Sequence, residues 1–319
     1  ILILVMTFLF VSCGDSKNSS YVLRASIGKV NRVLVVTEGS DWQGKIGDEL
    51  RSFMGEIIEG LPQPEALFTL SQVAPIGFGR MMEKARNVLI VQKSENERFT
   101  IKTNVYAGPQ TVIYINAKDE EGLIRLIQKH SLEIVRVFKA SDVKVIQNIF
   151  NKKKVDESKY KTLQNLKLSL TIPNEFKTVD DTGEFMWLRQ HLKSGTNNIL
   201  LYTLPLEDEN NISKSILPAR DTIGKKHIPG SKKGMYMITE AAYTPITTEV
   251  QLAKNKAFET RGKWEVKNDF MAGPFLNYTV IDKKNNRLIV FEGFTYAPSV
   301  NKREFLFELE AIAKSMKIL

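Results

Sequence analysis

Apolar residues in the first half of the chain alternate between strand-like and helix-like spacing. Residues 30–36 form a β-branched run, which predicts a strand. Further short apolar runs at 66–70, 87–91, 99–105 and 111–115 predict four more strands. Between the first two runs, apolar residues recur every three or four positions and predict an amphipathic helix. These residues are Trp42, Ile46, Leu50, Phe53 and Ile57.

A longer helical stripe closes the first half. Apolar residues continue at helical spacing from Leu123 to Ile149, so the pattern predicts a long helix there. Asp119, with an asparagine three residues before it, forms a pair of the N-capping type. The polar dipeptide Ser141-Asp142 interrupts the stripe and predicts a break into two helices.

The second half is dominated by strand patterns. A helix is predicted over 212–227, interrupted at Pro218, and an amphipathic helix over 305–316 closes the sequence. The turn residues 283–286 predict a hairpin between the last two strands. Apolar or alternating runs predict strands at 166–172, 184–189, 198–203, 235–238, 263–266, 275–281 and 287–294.

Together these patterns predict an α+β fold with two domains, each a mostly antiparallel sheet covered by helices. About 300 residues suffice for two domains of ordinary size, about 100–200 residues each. The N-terminal α+β domain is predicted over 27–155 and the C-terminal α+β domain over 161–319. The stretch between them is charged and poor in apolar residues, as domain boundaries often are.

The chain opens with an uncharged apolar run of signal-peptide length, followed by its single cysteine. The order Phe10-Val-Ser-Cys13 resembles the bacterial lipobox, although leucine is usual where Phe10 stands. The resemblance implies a signal peptide over 1–12, truncated at its start, and acyl chains such as palmitate on the Cys13 thiol. The polar residues 13–26 then form a lipidated tether. The alternative is that Cys13 is a buried thiol in an apolar segment.

Charge and cysteine content narrow the function classes. The formal net charge is +9 and the isoelectric point is near 9.3, with lysines in short runs. A nucleic-acid surface combines arginine-rich patches with exposed aromatic residues, so these runs predict no nucleic-acid partner. They are typical of solvated surface, with attraction to an anionic membrane face as the alternative. A single cysteine excludes an intramolecular disulfide framework and a multi-cysteine metal site.

No sequence motif assigns a chemistry. The histidines His130, His191 and His227 lie too far apart for a metal-ligand spacing, and no nucleophile elbow or phosphate-binding loop is present. The acidic run 207–211 lacks the glycine and distal glutamate of an EF-hand loop. The pair Asp180-Asp181 would need a cleft to serve in acid-base catalysis. We therefore expect no catalytic residue, no metal and no cofactor.

Several runs carry a resemblance to a known family: Trp42–Arg51, Gly60–Phe68 and Ile172-Pro-Asn-Glu-Phe176. They are similar to a family of uncharacterised envelope lipoproteins of Bacteroidetes, a domain of unknown function. That resemblance implies a location and no chemistry. The second half also resembles PsbP-type domains loosely, which implies an interaction module. Thr222, within Asp-Thr-Ile, resembles an O-glycosylation site of periplasmic proteins of that bacterial group.

The expected function is that of a non-enzymatic cell-envelope lipoprotein, held to the membrane by its lipid and binding a protein or glycan partner. Only Asp15 precedes Lys17 after the cysteine, where an acidic export patch would stand, so outer-membrane placement facing the periplasm is favoured. The alternative is an envelope hydrolase or carbohydrate-active enzyme. Paired carboxylates or a polarised His191 in a compact cleft would favour the enzyme, whereas an apolar or basic surface would favour binding.

Overall fold

The structure is a computed structural model that describes residues 23–319. Cys13, the predicted signal peptide and most of the predicted tether lie outside the described residues. No helix in the part of the chain that the structure describes is long and apolar enough to cross a membrane.

The first half forms a five-stranded sheet with helices on one face. The strands of this half are β1 (Arg24–Ala25), β2 (Arg32–Val36), β3 (Thr69–Val73), β4 (Asn87–Lys93), β5 (Arg98–Thr103), β6 (Ala107–Gly108) and β7 (Thr111–Ala117). Its helices are α1 (Gly39–Gln43), α2 (Lys45–Met54) and α3 (Glu120–Asn151). β1 and β6 form a separate parallel pair.

The order of the main sheet is β3-β2-β4-β7-β5. β2 pairs in parallel with β3 and β4, and β4 pairs in parallel with β7, while β5 is antiparallel to β7. The predicted α+β fold is confirmed, with one correction: this sheet is mostly parallel rather than mostly antiparallel. Strands such as β4 are buried on both faces and carry a continuous apolar run, as parallel strands do.

α3 is one continuous helix, so the predicted break at Ser141-Asp142 is wrong. Asp142 is fully buried and its Oδ2 accepts a hydrogen bond from the Asn31 backbone N–H at 2.7 Å. The polar residue therefore satisfies a buried donor instead of ending the helix. At the other end, the Asp119 carboxylate accepts from the Gly122 N–H at 2.8 Å, so Asp119 is itself the N-cap. The predicted N-cap, Asn116, lies within β7 instead.

The second half is an eight-stranded antiparallel sheet with helices on both faces. The strands of this sheet are β9 (Lys177–Asp181), β10 (Phe185–Leu192), β11 (Gly195–Pro205), β12 (Met237–Thr239), β13 (Ile246–Leu252), β14 (Asn255–Val266), β15 (Ala272–Asp282) and β16 (Arg287–Tyr296). Their order is β12-β14-β15-β16-β11-β10-β9, with β13 beside β14. The helices are α4 (Lys161–Leu166), α5 (Ile212–His227) and α6 (Arg303–Ala313). The short strands β8 (Leu168–Ser169) and β17 (Lys317–Ile318) form a separate antiparallel pair.

Three local predictions in this half have clear outcomes. The hairpin at 283–286 is confirmed, since β15 and β16 pair across it and Asn286 takes a left-handed conformation with φ 50°. α5 passes through Pro218 without interruption. The strand predicted at 166–172 is reduced to β8, because α4 occupies the residues before it.

The two halves share packing along α3. Phe138 belongs to the core beneath the first sheet, whereas Val143, Ile146 and Phe150 pack into the core of the second. The backbones of the two halves approach closely at Gly60, where a Cβ would lie 2.9 Å from the Gly262 backbone nitrogen. Only a residue without a side chain fits this approach. The predicted boundary between 155 and 161 follows the end of α3 and stays a prediction.

A candidate ligand-binding cleft between the two halves

Two adjoining pockets lie where α3 and α6 meet β14 and the segment that follows α2. The inner pocket has a volume of about 210 Å³. The outer pocket has a volume of about 520 Å³, and Lys139 and Glu310 line both. Six side chains give the inner pocket an apolar wall: Ile57, Ile58, Leu61, Leu67, Leu306 and Phe307. We call the two pockets together the cleft.

A chain of ion pairs forms the floor of the cleft. The Arg261 guanidinium contacts the Glu310 carboxylate through Nη2 at 2.6 Å and the Glu259 carboxylate through Nε at 2.6 Å. The Lys314 ammonium donates to the second oxygen of Glu310, and the Tyr278 hydroxyl donates to the second oxygen of Glu259. Every carboxylate oxygen of this network therefore has a partner, as buried charge requires.

This arrangement holds both acids ionised at neutral pH. Burial alone raises the pKa of Glu310, but the surrounding Arg261, Lys139 and Lys314 hold it well below its usual range. Burial opposes ionisation of Glu259 in the same way, and Arg261 lowers the pKa of its carboxyl below the usual value. The Arg261 pKa is raised by the two carboxylates against the effect of its own burial.

Lys139 is a half-buried cation of the cleft that lacks a direct partner in the part of the chain that the structure describes, whereas the other unpaired cations of the outer pocket, Arg136 and Lys144, are exposed. It projects from α3 into both pockets. Among the described residues, no carboxylate oxygen lies within 4.0 Å of its ammonium and no hydrogen bond to it is formed. Burial lowers the pKa of Lys139, and the attraction of Glu310 offsets this only in part. A half-buried ammonium with open donor positions suits an anionic or carbonyl oxygen of a ligand.

Charged and amide side chains supply the polar groups of the cleft. Neither pocket is lined by a serine, threonine, cysteine or histidine of the described residues. Four carboxylates line the cleft, Glu56 and Glu59 in the inner pocket and Glu259 and Glu310 on the floor, and paired carboxylates in a cleft were the feature expected of an enzyme. Glu259 and Glu310 both bind Arg261 and have lowered pKa values, so neither of these two holds a proton to donate as a general acid at neutral pH.

A buried carboxylate from the first half fixes the α6 wall of the cleft. The Glu65 side chain accepts hydrogen bonds from the backbone N–H groups of Lys302 at 2.6 Å and Arg303 at 3.1 Å, at the start of α6. An anion at a helix N-terminus is stabilised by the free N–H groups and the helix dipole. The Arg303 guanidinium in turn donates to the Ala66 carbonyl at 2.7 Å.

Two protein-family models match the chain. A protein-family model described as Domain of unknown function (DUF4837) matches residues 154–315, just over half of the chain. The chain belongs to the DUF4837 family. A second model, Domain of unknown function (DUF8532), matches residues 26–151. The expected membership of an uncharacterised family is thereby confirmed, while its Bacteroidetes origin and the PsbP-type similarity stay predictions.

Solved structures offer only distant similarity, and no curated protein matches the chain. The Ran-binding protein Mog1p of Saccharomyces cerevisiae is 8% identical, over 48% of this chain and 90% of that chain, with a TM-score of 0.31. LpqN of Mycobacterium tuberculosis, described as involved in cell envelope biogenesis, is 13% identical over 47% of this chain and 82% of that chain, with a TM-score of 0.29. At such TM-scores these similarities support no functional inference.

The histidines that the sequence singled out lie apart from the cleft. His130 stacks on Phe99 at a ring distance of 3.8 Å, and its Nδ1 lies 2.9 Å from Glu133. His227 stacks on Phe185 at 3.9 Å, and burial lowers its pKa. His191 is exposed on β10.

The other candidate residues have structural partners or lie on the surface. Thr222 is exposed on α5 and its hydroxyl donates to the Pro218 carbonyl at 2.8 Å. The Asp181 carboxylate accepts from the N–H groups of Lys161 and Thr162, and so caps the start of α4. Thr222 as a glycosylation site and Cys13 as a lipidation site stay predictions.

Sequence reasoning missed the residues that build the cleft. One signal was available: Glu310 stands among Leu306, Leu309 and Ile312, inside the apolar stripe of the last helix. A carboxylate on a buried helix face needs a cationic partner. Nothing in the local pattern names Arg261 or Lys139 as that partner.

Proposed function

We propose that this chain is a lipid-anchored cell-envelope protein that binds a protein or glycan partner in the cleft between its two halves. The lipobox-like order before Cys13 supports the envelope location. The cleft supports binding, because an apolar wall and an unpartnered ammonium together match a ligand with an apolar part and an acidic or carbonyl oxygen.

One observation carries the binding proposal. Lys139 faces both pockets without a hydrogen bond or ion pair among the described residues, while Arg261 and Lys314 are paired. Within the same residues, Arg136 and Lys144 of the outer pocket are also unpaired, but they are exposed to solvent, whereas Lys139 is half-buried. A half-buried ammonium without a partner lowers the stability of a fold, because burial removes part of its hydration. Groups with shifted pKa values gather at functional sites, and Lys139 lies in a cleft as such groups do.

An envelope hydrolase remains the second candidate, on the strength of the paired carboxylates. Glycosidases use one protonated and one ionised carboxyl group. Glu259 and Glu310 are bound by a common guanidinium, which favours the ionised form of both. The lowered pKa values therefore support binding over glycoside hydrolysis.

The test is capture of partners from native envelopes with three forms of the full-length lipoprotein. These are the parent, Lys139→Met, and Lys129→Met as the matched control, since Lys129 is exposed on α3 and lines neither pocket. We expect the parent to capture a protein or glycan partner, and we expect the recovered amount of that partner to fall at least about tenfold with Lys139→Met. That decrease is equivalent to about 1.4 kcal/mol of binding free energy. Lys129→Met should retain it. Equal recovery by all three forms would remove the cleft from the proposal.

The anchor has a separate test in Cys13→Ser. Serine cannot carry the thioether-linked lipid, so the variant should leave the membrane fraction and become soluble in the periplasm. Each buried acyl CH₂ contributes about 0.8 kcal/mol, and several chains hold a protein firmly. The measurement is fractionation of cells that express the parent or the variant. Sedimentation of the serine variant with membranes to the same extent as the parent would contradict the anchor.

A further inference from the structure

An exposed apolar and basic surface lies where the described chain begins. The segment after β3 carries Ile76, which is 100% exposed, and Met81 and Met82, which are 73% and 41% exposed. Ile27, 51% exposed, is joined to this segment, because its N–H donates to the Lys84 carbonyl at 2.8 Å. We call Leu23–Ile27 and residues 76–84 the tether-side patch.

The charge of the patch is mainly positive. Arg24, Arg80 and Lys84 line one shallow pocket together with a single acid, Glu83. None of these three cations forms an ion pair among the described residues. Exposed isoleucine and methionine beside unpaired arginine and lysine match the surface of a bilayer, which has an apolar interior and anionic headgroups.

The position of the patch supplies the second observation. Leu23, within the patch, follows Cys13 by ten residues. Ten residues span at most about 35 Å even when fully extended. A lipid on Cys13 therefore keeps the patch within that distance of the bilayer, so that even weak contacts act at a high effective concentration.

We propose that the tether-side patch docks onto an anionic membrane surface, with Ile76, Met81 and Met82 entering the headgroup region and Arg24, Arg80 and Lys84 facing anionic lipid. This inference rests on the lipid anchor of the proposed function. It adds an orientation: residues 76–84 lie against the bilayer, and the protein is held at two places instead of swinging from a free tether.

The experiment uses the full-length lipidated protein in vesicles of phosphatidylethanolamine and phosphatidylglycerol. Since the single native cysteine is occupied by lipid, Ile76→Cys gives one free thiol for an environment-sensitive fluorophore. Phe270→Cys, at an equally exposed apolar position (103%) outside the patch, is the matched control. Brominated acyl chains quench a fluorophore only on contact with the bilayer.

We expect brominated lipid to quench the label at 76 several-fold more than the label at 270. Replacing phosphatidylglycerol with phosphatidylcholine, or combining Arg80→Ser with Lys84→Ser, should reduce that difference at least twofold. Vesicle-bound protein with equal quenching at both positions would overturn docking and leave the anchor intact. A photoactivatable cross-linker attached to Ile76→Cys that captures a protein in native envelopes, while a fluorophore at the same position is never quenched, would also overturn it. Protein that fails to float with vesicles at all would contradict the anchor, and the inference would fall with it.

Discussion

At the scale of single residues, the cleft contrasts satisfied and unsatisfied charge. Arg261 has two carboxylates within 2.6 Å, and Glu310 has two cations. Lys139 sits beside them with a pKa lowered by burial. Since its pKa in the native state is below 10.5, the unfolded chain binds the lysine proton more tightly than the folded chain does. The ammonium therefore lowers stability at neutral pH, and the penalty fades as pH rises towards 10.5.

Lys139→Met should consequently stabilise the protein while it weakens partner binding. Methionine keeps the length of the aliphatic stem and removes the desolvated charge, so the free energy of unfolding at pH 7 should rise by about 1 kcal/mol, the usual size of a single stabilising change. The gain should shrink near pH 10. Denaturant unfolding at both pH values measures it, with Lys129→Met expected within about 0.5 kcal/mol of the parent. A Lys139→Met variant less stable than the parent at pH 7 would mean that the ammonium has a structural partner.

At the scale of elements, the N-terminus of α6 is held by a residue from the other half of the chain. Glu65 is buried and accepts from two N–H groups of the first turn. Arg303 and Lys302 reach back to the same segment, to the Ala66 carbonyl and the Gln63 side chain. The segment 60–69 therefore joins the α6 wall of the cleft to the first sheet.

Glu65→Ala should loosen this junction. It leaves two buried N–H groups of α6 without acceptors, and loss of a helix cap costs about 0.5–2 kcal/mol. We expect Glu65→Ala to lower the free energy of unfolding by about 2 kcal/mol, the upper end of that range, because the site is buried. Thermal or denaturant unfolding gives the value, and Glu56→Ala, at an exposed position four residues before this segment, should change it by less than about 0.5 kcal/mol. A loss for Glu65→Ala no larger than that for Glu56→Ala would refute the capping role.

Element types were predictable where the pattern is local. The β-branched run of β2, the stripe of α3 and the turn before β16 all appear at their predicted places. β13 was missed because the consecutive polar residues Thr247-Thr248-Glu249 leave it mostly exposed, so no apolar run marks it. The parallel pairing of β2 with β4 depends on which strands become neighbours, and a strand's own residues do not carry that information. The cleft escaped prediction for the same reason, since Lys139 and Arg261 meet only through the tertiary fold.

At the scale of the whole molecule, α3 joins the two halves by packing as well as by sequence. Its 32 residues make a helix about 48 Å long at 1.5 Å per residue. The first turns pack on the first sheet, and Val143, Ile146 and Phe150 pack into the second core. The predicted boundary at 155–161 is thus a place where the chain can be cut without separating the packed surfaces.

A specific protease site inserted after Glu157 tests this arrangement. We expect complete cleavage to give two fragments that still elute together in size-exclusion chromatography under native conditions, because the end of α3 stays buried against the second sheet. The uncut protein sets the reference volume, and urea should separate the fragments. Elution of two independent folded fragments in native buffer would contradict shared packing and favour two autonomous domains.

Photo-cross-linking in living cells shows whether a partner occupies the cleft. A benzophenone amino acid replaces Ile57, which is 50% exposed in the inner pocket, or Val179, which is 45% exposed on the edge strand β9 away from the cleft and serves as the control. We expect a discrete cross-linked species from position 57, absent from position 179, that disappears when Lys139→Met is combined with the probe. No cross-link from position 57, or one of equal yield with Lys139→Met, would contradict binding of a partner in the cleft.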